Sequence, residues 1–277
     1  MRVSNLAMML TKEMLEYNYT LHGSMQKMAT ALGISVDSIY KYMRLCGVDY
    51  APHYKGIYTC NHNVFASDTE KSFYLAGFIA ADGSLQGKKY SKVLKITLSI
   101  KDRAHLEMMR SLLGSDNPIK TYWVEPNECV KTRNQCVELQ IVSKSIYTDL
   151  RRFNIVPNKT MVYSIPNWLL THPNVNHFMR GYLDGDGTFS HCGLGKGRIV
   201  KQASFSMIGT ERFVTQYRDI LVANCNITPA KITKKKSIYA TCYSGNNVLR
   251  DMASFLYKDA TIYLPRKYDK IKHLLPI

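Results

Sequence analysis

The sequence predicts an α+β protein: two tandem, pseudo-symmetric αββαββα repeats with antiparallel sheets, preceded by a small all-α domain. Three observations predict it. Residues 74–84 read YLAGFIAADGS and residues 178–188 read FMRGYLDGDGT, which pairs Gly77 with Gly181, Asp82 with Asp186 and Gly83 with Gly187. The same succession of helical and strand patterns follows each copy. Ahead of both lies a stretch with short helical periodicity around a glycine turn. The expected boundaries are 1–60 for the helical domain, 61–165 for the first repeat and 166–277 for the second.

Composition bounds the partners. The chain has 277 residues, 45% of them hydrophobic, enough for two cores and a small extra one. A net charge of +16 points towards nucleic acid or an anionic surface. Six Lys/Arg oppose four acids in residues 1–60, so most of the excess lies beyond them. No apolar run has membrane-spanning length, and the start MRVSNLAMMLTKE makes a poor signal peptide. Seven cysteines without a CxxC pair indicate neither a disulfide framework nor a structural zinc site. Cys60-x-His62 and His191-Cys192 are too sparse for a metal site and read as surface or core residues. An intracellular, reduced protein with access to DNA is expected.

In the first domain, Met28, Ala29 and Leu32 form one apolar face, Gly33 supplies a sharp turn, and Ile39, Tyr42 and Met43 line the inner side of a second helix. This is helix-turn-helix spacing, and it turns Ser35, Asp37, Ser38, Tyr40, Lys41 and Arg44 outward as candidate DNA contacts. A plain helical hairpin gives the same pattern. Residues 50–70 read as linker.

The first repeat opens with the helix ending at Asp82. A strand follows with Leu94, Ile96, Leu98 and Ile100 on one side and Lys95, Thr97 and Ser99 on the other. The helix DRAHLEMMRSLLG stops at Gly114, TYWVEPNECVKTRNQCVELQIVS reads as two strands, and KSIYTDLRRFNI closes the repeat as a helix. The second repeat restates this order through the strands around Lys201, Ser204 and Ser206, the helix ERFVTQYRDILVANCNI, a hairpin with Lys234 and Lys235 near its tip, and the helix NNVLRDMASFLYK. The polar strand face (Lys95, Thr97, Ser99, Lys201, Ser204, Ser206) and the hairpin lysines are candidate DNA contacts. The ordinary reading of such a lysine run is a solvated loop. A Pro-x-Lys closes both repeats, placing Lys159 and Lys267 at similar distances after the acids. Its alternative reading is a helix-ending turn.

The repeated helices carry small residues four apart, Gly77 with Ala81 and Gly181 with Gly185, on one side of each. Packed on each other, they bring Asp82 and Asp186 side by side. Two neighbouring carboxylates repel unless a cation or a proton intervenes, and a hard divalent ion with oxygen ligands, Mg²⁺ (or Mn²⁺), suits a phosphate substrate. Each Asp-Gly alone is also explained as a helix end with glycine in the left-handed cap position. That reading does not account for the same glycine, apolar run and acid occurring twice.

LAGFIAADG and MRGYLDGDG resemble the signature of LAGLIDADG homing endonucleases in their single-chain, two-motif form, over about residues 70–277. The resemblance implies that the motif helices form the interface between repeats and that the sheets straddle double-stranded DNA. It implies Asp82 and Asp186 as metal-binding carboxylates, with the backbone carbonyls of Ala81 and Gly185 sharing the ions. It makes Lys159 and Lys267 the basic residues near the scissile phosphates, so that Asp82, Asp186, Lys159 and Lys267 form the expected catalytic set. The implied activity is a Mg-dependent double-strand break in a long asymmetric target, leaving 3′ overhangs, by a monomer encoded within an intron and lacking intein splicing halves. Two departures stand out. Ala80 occupies a position where the family often has an acid and the second copy keeps Asp184. Ile100 and Gly209 fall where some members carry a polar, water-positioning side chain. An intron RNA-splicing maturase and a non-cleaving DNA-binding regulator are the alternatives on the same fold.

Overall fold

The computed structural model describes residues 10–48, 58–88, 91–126, 132–193 and 201–275. The chain divides into two compact units, Met1–Ile57 and Tyr58–Ile277.

The first unit is helical throughout its described residues. Helix α1 (Lys12–His22) starts where the Thr11 side chain accepts a hydrogen bond from the Met14 amide and ends at Gly23 in the left-handed conformation. Helix α2 (Met25–Leu32) is capped by Ser24 and stops at Gly33, whose φ of 64° makes the sharp turn. Helix α3 (Val36–Leu45) begins at Ser35, whose side chain caps the Ser38 amide. Leu15, Met28, Ala29, Ile39 and Met43 are buried together, so α1 joins the two helices legible in the sequence.

In the second unit, helix α4 (Glu70–Asp82) follows a Thr69/Ser72 capping box and buries every residue from Ser72 to Ala80. A helix apolar all round belongs at the centre of a core. Strands β1 (Gly83–Lys88) and β2 (Ser91–Ser99), helix α5 (Arg103–Leu112), strands β3 (Lys120–Val124) and β4 (Asn134–Val142) and helix α6 (Lys144–Leu150) complete the first repeat. Helix α7 (Val175–Asp186) opens the second, followed by β5 (Thr188–Gly193), β6 (Lys201–Gly209), α8 (Glu211–Asn224), β7 (Ile232–Lys235), β8 (Ile238–Ser244), α9 (Asn246–Leu256) and the short α10 (Pro265–Tyr268). The sheets have orders β1-β2-β4-β3 and β5-β6-β8-β7, and every pairing is antiparallel. The two repeats thus share one topology and form one compact unit.

Each sheet buries one face. Leu94, Ile96 and Leu98 pair with Ile141, Leu139 and Val137, and all six are buried. Phe205 and Met207 do the same in the second sheet. The stretch read as linker behaves differently at its end: Val64 and Phe65 are buried in the main core. Two apolar side chains in a polar run give no periodic signal, so they were not legible as core. No described helix is long and apolar enough to cross a membrane.

Candidate active site at the ends of the motif helices

Helices α4 and α7 cross backbone against backbone. A Cβ built on Gly77 would collide with the Phe178 carbonyl, and one on Gly181 with the Tyr74 carbonyl. A Cβ on Gly185 would strike Ala81. Glycine is required here for close approach. The turn glycines after the acids follow the same logic. Gly83 (φ −83°) and Gly187 (φ −79°) are extended, which rules out the left-handed cap reading of the Asp-Gly pairs. Side chains there would collide with Ile79 and Leu183 of the preceding helical turn.

The crossing carries Asp82 and Asp186 to the same end of the pair, Asp82 directly before β1 and Asp186 two residues before β5. The Asp82 carboxylate lies against Gly185, with its Oδ2 3.2 Å from where a Cβ on that glycine would stand. Neither acid accepts a hydrogen bond from a described residue. Burial, then repulsion from Asp186, raises the pKa of Asp82 from 3.8 to about 6. Burial also raises Asp186, opposed by Lys159 and Lys267.

Both lysines are buried beside the acids, and both hold helix ends. Lys267 donates to the carbonyls of Leu183, Asp184 and Gly185 at 2.8, 2.7 and 2.8 Å. Three bonds use all the donors of an ammonium group. Lys159 donates to Gly83 at 2.5 Å and more weakly to Ala81 at 3.4 Å. They place a cation on the orphan carbonyls and negative dipole end of each motif helix. Desolvation lowers both pKa values, that of Lys267 to about 8. The carbonyls of Ala81 and Gly185, expected to face metal ions, therefore each accept a lysine proton. The Pro-x-Lys alone does not reveal this, because its partners lie about 80 positions away.

A polar network supports the site from behind. The fully buried Asp184 accepts from Tyr74 Oη and the Leu264 amide, both at 2.7 Å, and Leu264 leads directly into α10 with Lys267. Tyr74 also meets His105 Nε2 at 3.0 Å. Arg266 clasps Asp102 of the other repeat through Nε (2.6 Å) and Nη2 (2.7 Å). Midway along α7, the buried Arg180 pairs with Glu70 at 2.6 Å. Glu70 in turn accepts from the amides of Thr261 and Ile262. Sequence reading named Asp184 but none of these pairings, which span from 31 to 192 positions.

Two carboxylates with raised pKa and no donors among the described residues suit a hard divalent cation, which removes the repulsion a proton would otherwise relieve. Among the described residues no group of three or more His, Cys, Asp and Glu side chains could hold a metal ion. A shared ion would therefore draw its remaining ligands from carbonyl oxygens, water and substrate phosphate. A cavity of about 220 Å³ adjoins Asp186, lined by Lys159, Thr160, Tyr163, Tyr182 and Ile208 among others. A larger one, about 710 Å³, lies near Asn176 and His177 at the opposite end of α7 and is lined by none of Asp82, Asp186, Lys159 and Lys267. Chemistry rather than size identifies the smaller as the site.

The candidate contact residues divide by register. In the first sheet Lys95, Thr97 and Ser99 share the face away from the core. In the second, Ser204 and Ser206 face outward opposite Ser244 and Cys242. Lys235 lies opposite Ile238 on that face, whereas Lys234 alternates to the other. Lys201 opens β6 opposite Gly193; its side chain lies outside the described residues. In the first unit Ser35, Asp37, Tyr40, Lys41 and Arg44 are exposed and Ser38 is half-buried. The Ser35 and Ser38 hydroxyls bond each other at 2.8 Å at the helix start, which commits them locally. Of the apolar departures from the family pattern, Ile100 directly follows β2 and Gly209 ends β6.

No protein-family model matches the chain, and no curated protein does. Solved structures match its fold. The homing endonuclease I-WcaI bound to its DNA recognition sequence is 14% identical, with a TM-score of 0.54 over 81% of this chain and 95% of that one. The LAGLIDADG homing endonuclease I-GzeII in complex with its DNA target is 13% identical, with a TM-score of 0.50 over 74% of this chain and 88% of that one. The chain has the fold of these proteins.

Proposed function

We propose that the chain is a site-specific DNA endonuclease of the homing type, making a divalent-metal-dependent double-strand break in a long asymmetric target. One observation carries the reading: two carboxylates from repeated helices, without hydrogen-bond donors among the described residues, meet at one end of their interface, each leading into a sheet with a polar outer face. A protein selected only to fold would not place two acids with raised pKa values together without donors.

The fold resembles proteins whose structures hold DNA targets, and the basic excess supplies the sequence-independent part of DNA affinity. Asp82 and Asp186 would hold Mg²⁺ (or Mn²⁺), which when bound activates water and stabilises charge on the phosphate and leaving oxygen. Lys159 and Lys267 fix the last turn of each motif helix, holding the acids in place and tempering their charge. The outer faces of the sheets, with Lys95, Thr97, Ser99, Ser204, Ser206 and Lys235, read bases and grip phosphates. The two different repeats call for an asymmetric target, and Tyr40, Lys41 and Arg44 of the first unit extend its footprint. Two acids held this close suit cuts across one minor groove, leaving short 3′ overhangs.

The test is a cleavage selection on a randomised DNA library with Mg²⁺, alongside Asp82→Asn and Asp186→Asn. Discrete double-strand ends, lost in either variant, are the expected result. Sequence-specific binding without cleavage, unchanged in both variants, would overturn the catalytic reading and leave a DNA-binding protein.

A further inference from the structure

The outer face of the first sheet carries an acid where DNA binding favours cations. Glu138 lies directly opposite Thr97 on one neighbouring strand and Lys120 on the other. Its side chain is only 7% exposed, against 29% for Lys95 beside it. Both oxygens of its carboxylate are engaged. Oε2 meets Lys95 Nζ at 2.5 Å and, at 3.4 Å, accepts from Thr97 Oγ1 and Tyr122 Oη, while Oε1 accepts from Gln140 Nε2 at 2.5 Å. Burial alone would raise its pKa, but the Lys95 and Gln140 hydrogen bonds outweigh it and hold the group ionised.

With three donors on Oε2 and one on Oε1, the carboxylate is committed to its neighbours within the sheet. What it can do is fix its neighbours. Lys95 gives one proton to Glu138 and meets no other acceptor among the described residues, so two directed donors remain. With its charge offset, it is a weak counterion for phosphate. It keeps the geometry of a donor to guanine O6 and N7, the acceptors a lysine reads in the major groove. The second sheet has no counterpart among its described outward positions. There Ser204, Ser206, Cys242 and Ser244 present small hydroxyl and thiol groups, Ser190 and Ser204 bond each other at 2.7 Å, and Lys235 stands opposite Ile238 rather than an acid.

Resting on the proposed DNA-endonuclease function, we infer that Glu138 is a positioning residue that holds Lys95 to read a guanine in the half-site under the first repeat. The two half-sites are then read unequally. The first carries a guanine read by a lysine that an acid holds in place, and the second lacks that device.

The test uses the full chain and duplexes carrying every single substitution in its selected target, with binding measured in EDTA at several salt concentrations. Wild type is expected to prefer guanine at one first-repeat position by about tenfold. Lys95→Met should abolish that preference at that position alone, and Lys95→Arg should keep it. Glu138→Gln should weaken it severalfold while binding to other sequences holds or tightens, since an acid has been removed. A uniform loss for Lys95→Met across all sequences, with the salt slope falling by about one, would mean a phosphate contact and overturn the inference. So would an unchanged profile in Glu138→Gln. Either result leaves the sequence-specific binding of wild type standing. Absence of any sequence preference in wild type would instead overturn the proposed function. If Glu138→Gln proves poorly folded by thermal melting, the Lys95→Met and Lys95→Arg pair alone decides whether a guanine is read.

Discussion

Replacing Asp82 with asparagine should stabilise the metal-free protein at neutral pH while removing activity. Burial and the Asp186 charge raise the folded-state pKa from 3.8 to about 6. The folded chain thus retains a proton that the unfolded chain has lost. For an acid with a raised pKa, the contribution to stability is most favourable below pH 4, falls as the pH rises through about 6, and is at its worst above that. A shift of about two units corresponds to roughly 3 kcal/mol, because each unit is about 1.4 kcal/mol. Asp186 moves in the same direction. Asparagine keeps the shape and removes the charge. In EDTA at pH 8, Asp82→Asn should therefore gain up to about 3 kcal/mol, or several degrees in Tm for a unit of this size. At pH 4.5 most of that advantage should vanish. Mg²⁺ at a hundred times its dissociation constant should add about 2.7 kcal/mol to wild type at pH 8, and little to the variant. Thermal and urea denaturation at both pH values, with and without Mg²⁺, measure all four combinations. If Asp82→Asn destabilises the metal-free protein at pH 8, the carboxylate is a satisfied structural group. The argument from charge repulsion to metal binding then fails.

Other perturbations test the frame around the acids. Gly77→Ala should destabilise the unit by about 3 kcal/mol or more in urea titrations, since the new methyl meets backbone that cannot rotate away. Glu70→Ala strands the fully buried Arg180 and should cost about 3–5 kcal/mol; Arg180→Met with Glu70→Ala should recover part of it in a double-mutant cycle. Lys267→Met leaves the Asp184 and Gly185 carbonyls without their donor, while Leu183 keeps the Gly187 amide, and should cost about 2 kcal/mol, seen as a lowered denaturation midpoint at unchanged slope. If Lys267 instead served only a bound phosphate, the same variant would melt like wild type and lose cleavage alone.

What the sequence made legible was whatever repeats or alternates locally. The motif helices, the strand faces of Lys95, Thr97 and Ser99 and the Gly33 turn all follow from spacings of two to four residues, and the structure places them accordingly. The crossing of α4 and α7 was legible too, because Gly77 and Gly181 appear in two aligned copies and a duplicated glycine on one helix face has few other uses. The lysines mark where local reading ends. A repeated Pro-x-Lys signals that a cation belongs in the site, but an ammonium group takes its role from what its three protons meet. For Lys267 these are the carbonyls of Leu183, Asp184 and Gly185, reached only through the fold. The lysines thus act first on the helix that carries the acid. Glu138 shows the same limit in reverse: an acid in a strand reads as a solvated charge until its neighbours across the sheet are known. The lysine carbonyl bonds and the Glu138 cluster both fix the direction of a charged side chain before substrate arrives, which lowers the entropy cost of ordering it on binding.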